Sequence, residues 1–103
     1  MLDKLQAIED KYEQLGELLS DPSIIANQSE WQKHAKAHAK ITDLVAKFRE
    51  YKEVMKGLED SREMLREKLD AEMKELVQME LEELKSREEE LQEELRILLL
   101  PKD

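Results

Sequence analysis

The chain has 103 residues, of which 42% are charged and only 4% are aromatic. This length fits a single domain, but the composition is unlike that of an ordinary globular core and favours long helices or a coiled coil. Without cysteines there is neither a disulfide framework nor thiolate chemistry, and no apolar run approaches the roughly 20 residues that cross a bilayer. The first residues also lack the order of a secretory signal peptide, so we expect a cytoplasmic protein.

Charge is unevenly distributed along the chain, whose net charge is −9. Residues 33–56 hold seven basic and three acidic residues, whereas both flanking segments are acidic. Broad binding to a phosphate backbone needs a basic face, and most of this surface would repel one. The charge pattern therefore favours a protein partner over DNA or naked RNA, and no membrane.

The first predicted helix covers residues 2–19. Its apolar residues alternate spacings of three and four, which marks one helical face: Met1, Leu5, Ile8, Tyr12, Leu15 and Leu19. Asp21 and Pro22 are expected to end it, because the residue before a proline is pushed out of the helical region and Asp bonds locally to turn backbone. We expect Ile24 and Ile25 to pack this connector onto the helices.

The second predicted helix covers residues 30–68. Ser29 and Gln32 have the spacing of a capping box, which marks a helix start. The residues that follow occupy successive a and d heptad positions, with only Arg62 polar: Ile41, Leu44, Phe48, Tyr51, Met55, Leu58, Arg62, Leu65 and Leu69. Such a continuous seam predicts one long helix.

The third predicted helix covers residues 71–99, with Asp70 as its N-cap and Pro101 after its end. Only Glu88 interrupts its apolar seam: Val77, Leu81, Leu84, Leu91, Leu95 and Leu98. A tight reversal before Asp70 makes the last two helices an antiparallel hairpin. Because the returning helix is too short to cover residues 31–41, the first helix should pack there, at the base of the hairpin. The fold class is thus all-α, with three helices.

Candidate chemistry is sparse. His34 and His38 stand four residues apart, with Glu30 one turn earlier, but a zinc site needs three or four converging ligands and no cysteine or third histidine exists. The glutamate clusters of the third helix fit a solvated face better than an acid–base pair. No nucleophile–base constellation or phosphate-binding glycine loop occurs. We therefore expect no enzyme, no metal and no cofactor.

The basic stretch is the one candidate site, and Lys33, Lys36, Lys40 and Lys47 are its candidate docking residues. They could meet RNA or an acidic protein, or they could balance the acidic first and third helices, and the sequence does not separate these two interpretations. Methionines near the hairpin turn could form an adaptable contact surface, although core filling explains most of them better.

Several segments resemble one family. The first helix with its Leu19–Pro22 ending, the Phe48–Lys52 segment of the long helix, and the closing Leu98–Asp103 are similar to the N-terminal domain of bacterial peptide chain release factors. The resemblance covers the whole chain. The closing Leu-Leu-Leu-Pro-Lys-Asp is its most specific element and favours the factor 1 family, in which it joins this helical domain to further domains.

The resemblance implies a cytoplasmic translation termination factor that reads UAA and UAG and triggers hydrolysis of peptidyl-tRNA. The codon-reading Pro-Ala-Thr or Pro-Val-Thr tripeptide and the Gly-Gly-Gln loop are absent from this sequence, so neither activity carries over to it. In the family this domain reaches the large-subunit stalk base of the ribosome and is implicated in communication with the recycling GTPase. A generic coiled-coil adaptor or oligomerisation module is the alternative, followed by a helical metal or RNA binder. We expect a monomer, with a dimer formed by helix packing as the alternative.

Overall fold

The computed structural model describes residues 1–101 and contains only helices and their connections in that range. The helices are α1 (Leu2–Leu19), α2 (Pro22–Ile25), α3 (Gln28–Met64) and α4 (Ala71–Leu98). The predicted all-α class is confirmed. Lys102 and Asp103, which close the motif used for the resemblance, lie outside the described residues.

The chain forms two compact units, one over Met1–Ala46 and one from Lys47 onward, and α3 contributes residues to both. Each unit is described by itself below. The organisation as one domain over residues 1–103, with further domains after it, stays a prediction.

The first unit begins with α1, which has the predicted bounds, and turns at Asp21. The Asp21 carboxylate accepts hydrogen bonds from the Ser23 backbone N–H at 2.9 Å and from the Ser23 hydroxyl at 2.8 Å, and these bonds lower the pKa of Asp21. Pro22 then starts α2, which was not predicted; a proline suits the first helical position because its missing N–H would lack a partner there. Ile24 is half-buried, but Ile25 is 56% exposed, so its expected packing is wrong.

Helix α3 starts two residues earlier than predicted, because Asn27 rather than Ser29 caps it. The Asn27 side-chain oxygen accepts from the Glu30 backbone N–H at 3.2 Å, and its carbonyl accepts from the Trp31 N–H at 2.9 Å. This satisfies N–H groups that a helix start leaves without a partner. The capping box predicted for Ser29 and Gln32 is therefore wrong.

Two contacts fix α1 against the first part of α3. The indole N–H of Trp31 donates to the Leu19 carbonyl at 3.1 Å, and the Tyr12 ring stacks on His38 with centroids 4.0 Å apart. Residue numbers rise on α1 as they fall on α3, so these stretches run antiparallel. As predicted from helix lengths, α1 covers the start of α3.

The second unit is an antiparallel pair made by the rest of α3 and α4. Glu50 contacts Arg87, and Leu84 lies over Gly57, so residue numbers rise on one helix as they fall on the other. The predicted antiparallel hairpin is confirmed. Its buried apolar side chains come from both helices: Phe48, Tyr51, Val54, Leu58, Val77, Leu91 and Leu95.

The buried seam of α3 differs from the predicted one at two positions. Val54 and Ser61 are buried, whereas Met55 and Arg62, which the heptad placed in the seam, are exposed. The seven-residue period holds, but the next buried residue after Tyr51 and after Leu58 follows by three residues instead of four. Both choices fit a heptad, and packing against α4 selects between them. On α4 the predicted seam is buried or half-buried throughout, including Glu88.

The hairpin turn is longer than predicted, because α3 ends at Met64 rather than at residue 68. Bonds from Arg66 N–H to the Glu63 carbonyl and from Glu67 N–H to the Met64 carbonyl, both 3.1 Å, tighten the chain after the helix. The predicted N-cap of α4 is confirmed, since the Asp70 carboxylate accepts from the Met73 N–H at 2.8 Å. Helix α4 ends at Leu98, one residue earlier than predicted.

The two glycines are expected to respond differently to alanine. A Cβ at Gly16 would meet nothing nearer than His38 Nε2 at 3.9 Å, whereas at Gly57 it would lie 3.1 Å from Leu84 Cδ1. Glycine inside a helix costs roughly 0.5–1 kcal/mol relative to alanine. Gly16→Ala should therefore raise the free energy of unfolding by about that amount, and Gly57→Ala should raise it less or lower it. Urea unfolding followed by circular dichroism measures both, and a larger gain at Gly57 would contradict the described close approach.

Candidate docking surface

Three of the four candidate lysines lie on one face of α3. Lys33, Lys36 and Lys40 are separated by three and four residues, the spacing of neighbours on a helix surface, and all three are exposed. His38, which stacks on Tyr12 of α1, is two residues from Lys36 and from Lys40, about 200° around the helix. Lys33, Lys36 and Lys40, the lysine face, therefore point away from α1.

No acidic group within residues 1–101 lies at ion-pair distance from the lysine face. The nearest glutamate in sequence, Glu30, instead places its carboxylate 3.5 Å from Nε2 of His34. Within residues 1–101 these three ammonium groups are thus not balanced by α1 through ion pairs, and their role as docking residues stays a prediction.

Lys47 has different surroundings. It belongs to the second unit, and its ammonium lies 3.1 Å from Oε2 of Glu94 on α4, an ion pair without hydrogen-bond alignment. Its side chain is partly covered. For Lys47 the structure supports the other interpretation of the basic stretch, in which the charge balances the acidic last helix.

Beside Lys47 lies an ion-pair network centred on Arg87. The Arg87 guanidinium donates to Glu50 of α3 through Nε at 2.7 Å and Nη2 at 2.8 Å, a two-pronged geometry, and through Nη1 to Glu90 at 2.9 Å. The bonds from Arg87 lower the pKa of Glu50, and those from Glu50 and Glu90 raise the pKa of Arg87. Sequence reasoning missed this network, because only the hairpin register places Glu50 opposite Arg87.

Replacing Arg87 by methionine should destabilise the chain in a pH-dependent way. The lowered pKa of Glu50 means that its contribution to stability is present above its unfolded pKa near 4.5 and is lost as the pH falls through the folded value. The difference in melting temperature between wild type and Arg87→Met should be full at neutral pH and shrink below pH 4.5. The matched control is Arg96→Met, because Arg96 pairs with Glu93 only within α4. We expect the control to cost less at neutral pH, and an equal loss would contradict an inter-helix role for Arg87.

The two histidines do not converge on a common point. His34 faces Glu30 and His38 stacks on Tyr12. Over residues 1–101 no group of three or more potential metal ligands comes together. In the same range, no helix combines the length and the apolar character that crossing a membrane requires.

Comparison with known proteins gives a consistent picture. The family model described as the PCRF domain matches residues 8–103. A peptide chain release factor 1 from Desulfitobacterium hafniense is 59% identical over 97% of this chain and 28% of its own length. Proteins of that name from Carboxydothermus hydrogenoformans and Clostridium acetobutylicum are 54% and 52% identical over all of this chain and 29% of their own length. No solved structure matches. The chain thus spans less than a third of the length of these relatives.

Proposed function

The chain belongs to the PCRF domain family, and from this membership we propose that it is the N-terminal interaction domain of a translation termination factor. In this proposal the factor directs peptide release at UAA and UAG stop codons in the cytoplasm. The chain itself is noncatalytic and contacts the ribosome at the base of the large-subunit stalk, where it communicates with the recycling GTPase.

The observation that carries the proposal is the pattern of coverage in the matches. The relatives named peptide chain release factor 1 align with nearly all of this chain at 52–59% identity, but with only 28–29% of their own length. This chain therefore aligns with one segment of those longer relatives, and in our proposal the remainder of such a factor carries the peptide release.

The structure supports a binding role for that segment. The antiparallel pair of α3 and α4 forms a surface of helices, and the lysine face adds three exposed positive charges without ion-pair partners among residues 1–101. Ribosomal RNA and acidic proteins are both negatively charged, and a positive patch accelerates encounter with such a partner. The sequence also has no Gly-Gly-Gln segment, which supports placing the hydrolysis elsewhere in the factor.

The test uses two proteins in a peptide release assay on ribosomes stalled at a stop codon. The isolated chain should release no peptide above background. A chimera in which this chain replaces the matching segment of the Desulfitobacterium hafniense release factor 1, to which it is 59% identical, should release peptide at UAA and UAG.

The control is the same factor with the matching segment deleted, which should be less active than the chimera. A chimera no better than the deletion would contradict the proposal, and release by the isolated chain would contradict its noncatalytic part. A chimera no better than the deletion, together with dimerisation of the chain in solution, would favour the coiled-coil oligomerisation module instead.

A further inference from the structure

Helix α4 exposes an apolar stripe near its start. Leu76 and Met79 are 55% and 56% exposed, and Met73, one turn before Leu76, is 42% exposed. Their spacing of three residues places them on one side of the helix, beside the buried seam that includes Val77. Single exposed apolar side chains are common on protein surfaces, but a contiguous group of them marks a site of interaction.

Negative charge surrounds the apolar stripe. Glu72, Glu75, Glu80 and Glu83 lie on the same side of α4, are exposed, and have no ion-pair partner within residues 1–101. The basic residues of this part of the helix, Lys74 and Lys85, lie about 150° or more around the helix from the middle of the stripe. Lys85 is also paired with Glu82, at 3.5 Å. We call these four glutamates the acidic rim.

The charge and shape of this surface fit one class of binding partner. The acidic rim repels phosphate groups, which excludes nucleic acid and anionic lipid as partners of this surface. An apolar centre about two helical turns long, flanked by charge of one sign, complements an amphipathic helix whose apolar face carries basic flanks. Methionine side chains adapt their shape to such a partner. We propose that the apolar stripe and its acidic rim dock a basic amphipathic helical segment of a protein partner.

This second docking surface is separate from the lysine face. The stripe lies in the second unit and attracts a basic partner, whereas the lysine face lies in the first unit and attracts an acidic one. The inference goes beyond the proposed function and does not depend on the release assay. Its failure would leave the lysine face and the chimera experiment untouched.

The test measures binding of a synthetic probe to the 103-residue chain. The probe is a fluorescein-labelled amphipathic helix of about 18 residues composed of leucine and lysine, followed by anisotropy. Replacing Leu76 and Met79 by glutamine should weaken binding by about tenfold or more, because it removes the apolar centre and keeps the rim. Replacing Glu80 and Glu83 by lysine should weaken binding as strongly and reduce its salt dependence.

The matched control for charge replaces Glu59 and Glu89 by lysine, since both are exposed and without an ion-pair partner among the described residues. It should leave binding within about twofold of wild type. Circular dichroism checks that each variant folds. Equal weakening by the control, or equally tight binding of a lysine-only peptide, would overturn the proposal by showing an unspecific charge effect. Dimerisation of wild type that is lost on replacing Leu76 and Met79 would overturn it in favour of a second copy of this chain.

Discussion

Replacing Leu58 by alanine is expected to lower the free energy of unfolding by about 2–5 kcal/mol. The Leu58 side chain has 0% of its surface exposed and lies in the seam of the second unit. Alanine there leaves a cavity that the paired helices can close only in part. A domain of this size has about 5–15 kcal/mol of stability in total, so the loss takes a large share of it. Urea unfolding at neutral pH, followed by the helical signal in circular dichroism, measures the change.

The control for this substitution is Leu76→Ala on the exposed side of α4. Leu76 is more than half exposed, so its truncation should change the free energy of unfolding by no more than about 0.5 kcal/mol. Similar effects at Leu58 and Leu76 would contradict the described packing, because burial is the main difference between them.

Reversing the lysine face to glutamate should slow association of the chimeric release factor with the ribosome by about tenfold or more at low salt. Lys33, Lys36 and Lys40 are exposed and lack ion-pair partners among residues 1–101. Surface charges contribute only about 0–1 kcal/mol each to folding, so the melting temperature should change little. Lys47 is left out of the set, since its reversal would also break its ion pair with Glu94. Rapid-mixing release kinetics at low and high salt measure the effect, which should shrink as salt screens the charges.

The matched control reverses Lys4, Lys56 and Lys68, which are exposed and form no ion pair with any residue of the range 1–101. This control carries the same change in net charge and should slow association less than reversal of the lysine face. A lowered melting temperature with unchanged release kinetics would instead show that the lysine face only balances acidic charge within the chain. Equal slowing by both triple variants would point to net charge alone.

The sequence was sufficient to predict a helix start where only one local signal for it was present. Asp70 precedes a helix whose first turn is acidic, and no other residue nearby could cap it, so the N-cap of α4 was predicted correctly. Asn27 was missed, because Asn27 and Glu30 have the same spacing as Ser29 and Gln32, and both pairs can start a helix. The helix that begins at Pro22 was missed because the proline was interpreted only as the end of α1.

The rest depended on contacts between segments distant in sequence. Met55 and Val54 are both apolar and both fit a heptad, so only packing against α4 decides which of them is buried. In the candidate site, sequence identified the basic stretch but could not separate Lys47 from the lysine face. That distinction rests on the register of the hairpin, which places Glu94 within 3.1 Å of Lys47.

Trp31, whose indole N–H donates to the Leu19 carbonyl, is a fluorescent reporter for the first unit. Trp31 is the only tryptophan in the sequence, and its indole spans the end of α1 and the start of α3. Its emission therefore reports when α1 detaches, while the far-ultraviolet helical signal averages over all of the helices. Superposition of the two unfolding curves would mean that both units melt as one cooperative body. An earlier shift in tryptophan emission would mean that α1 comes away while the hairpin persists.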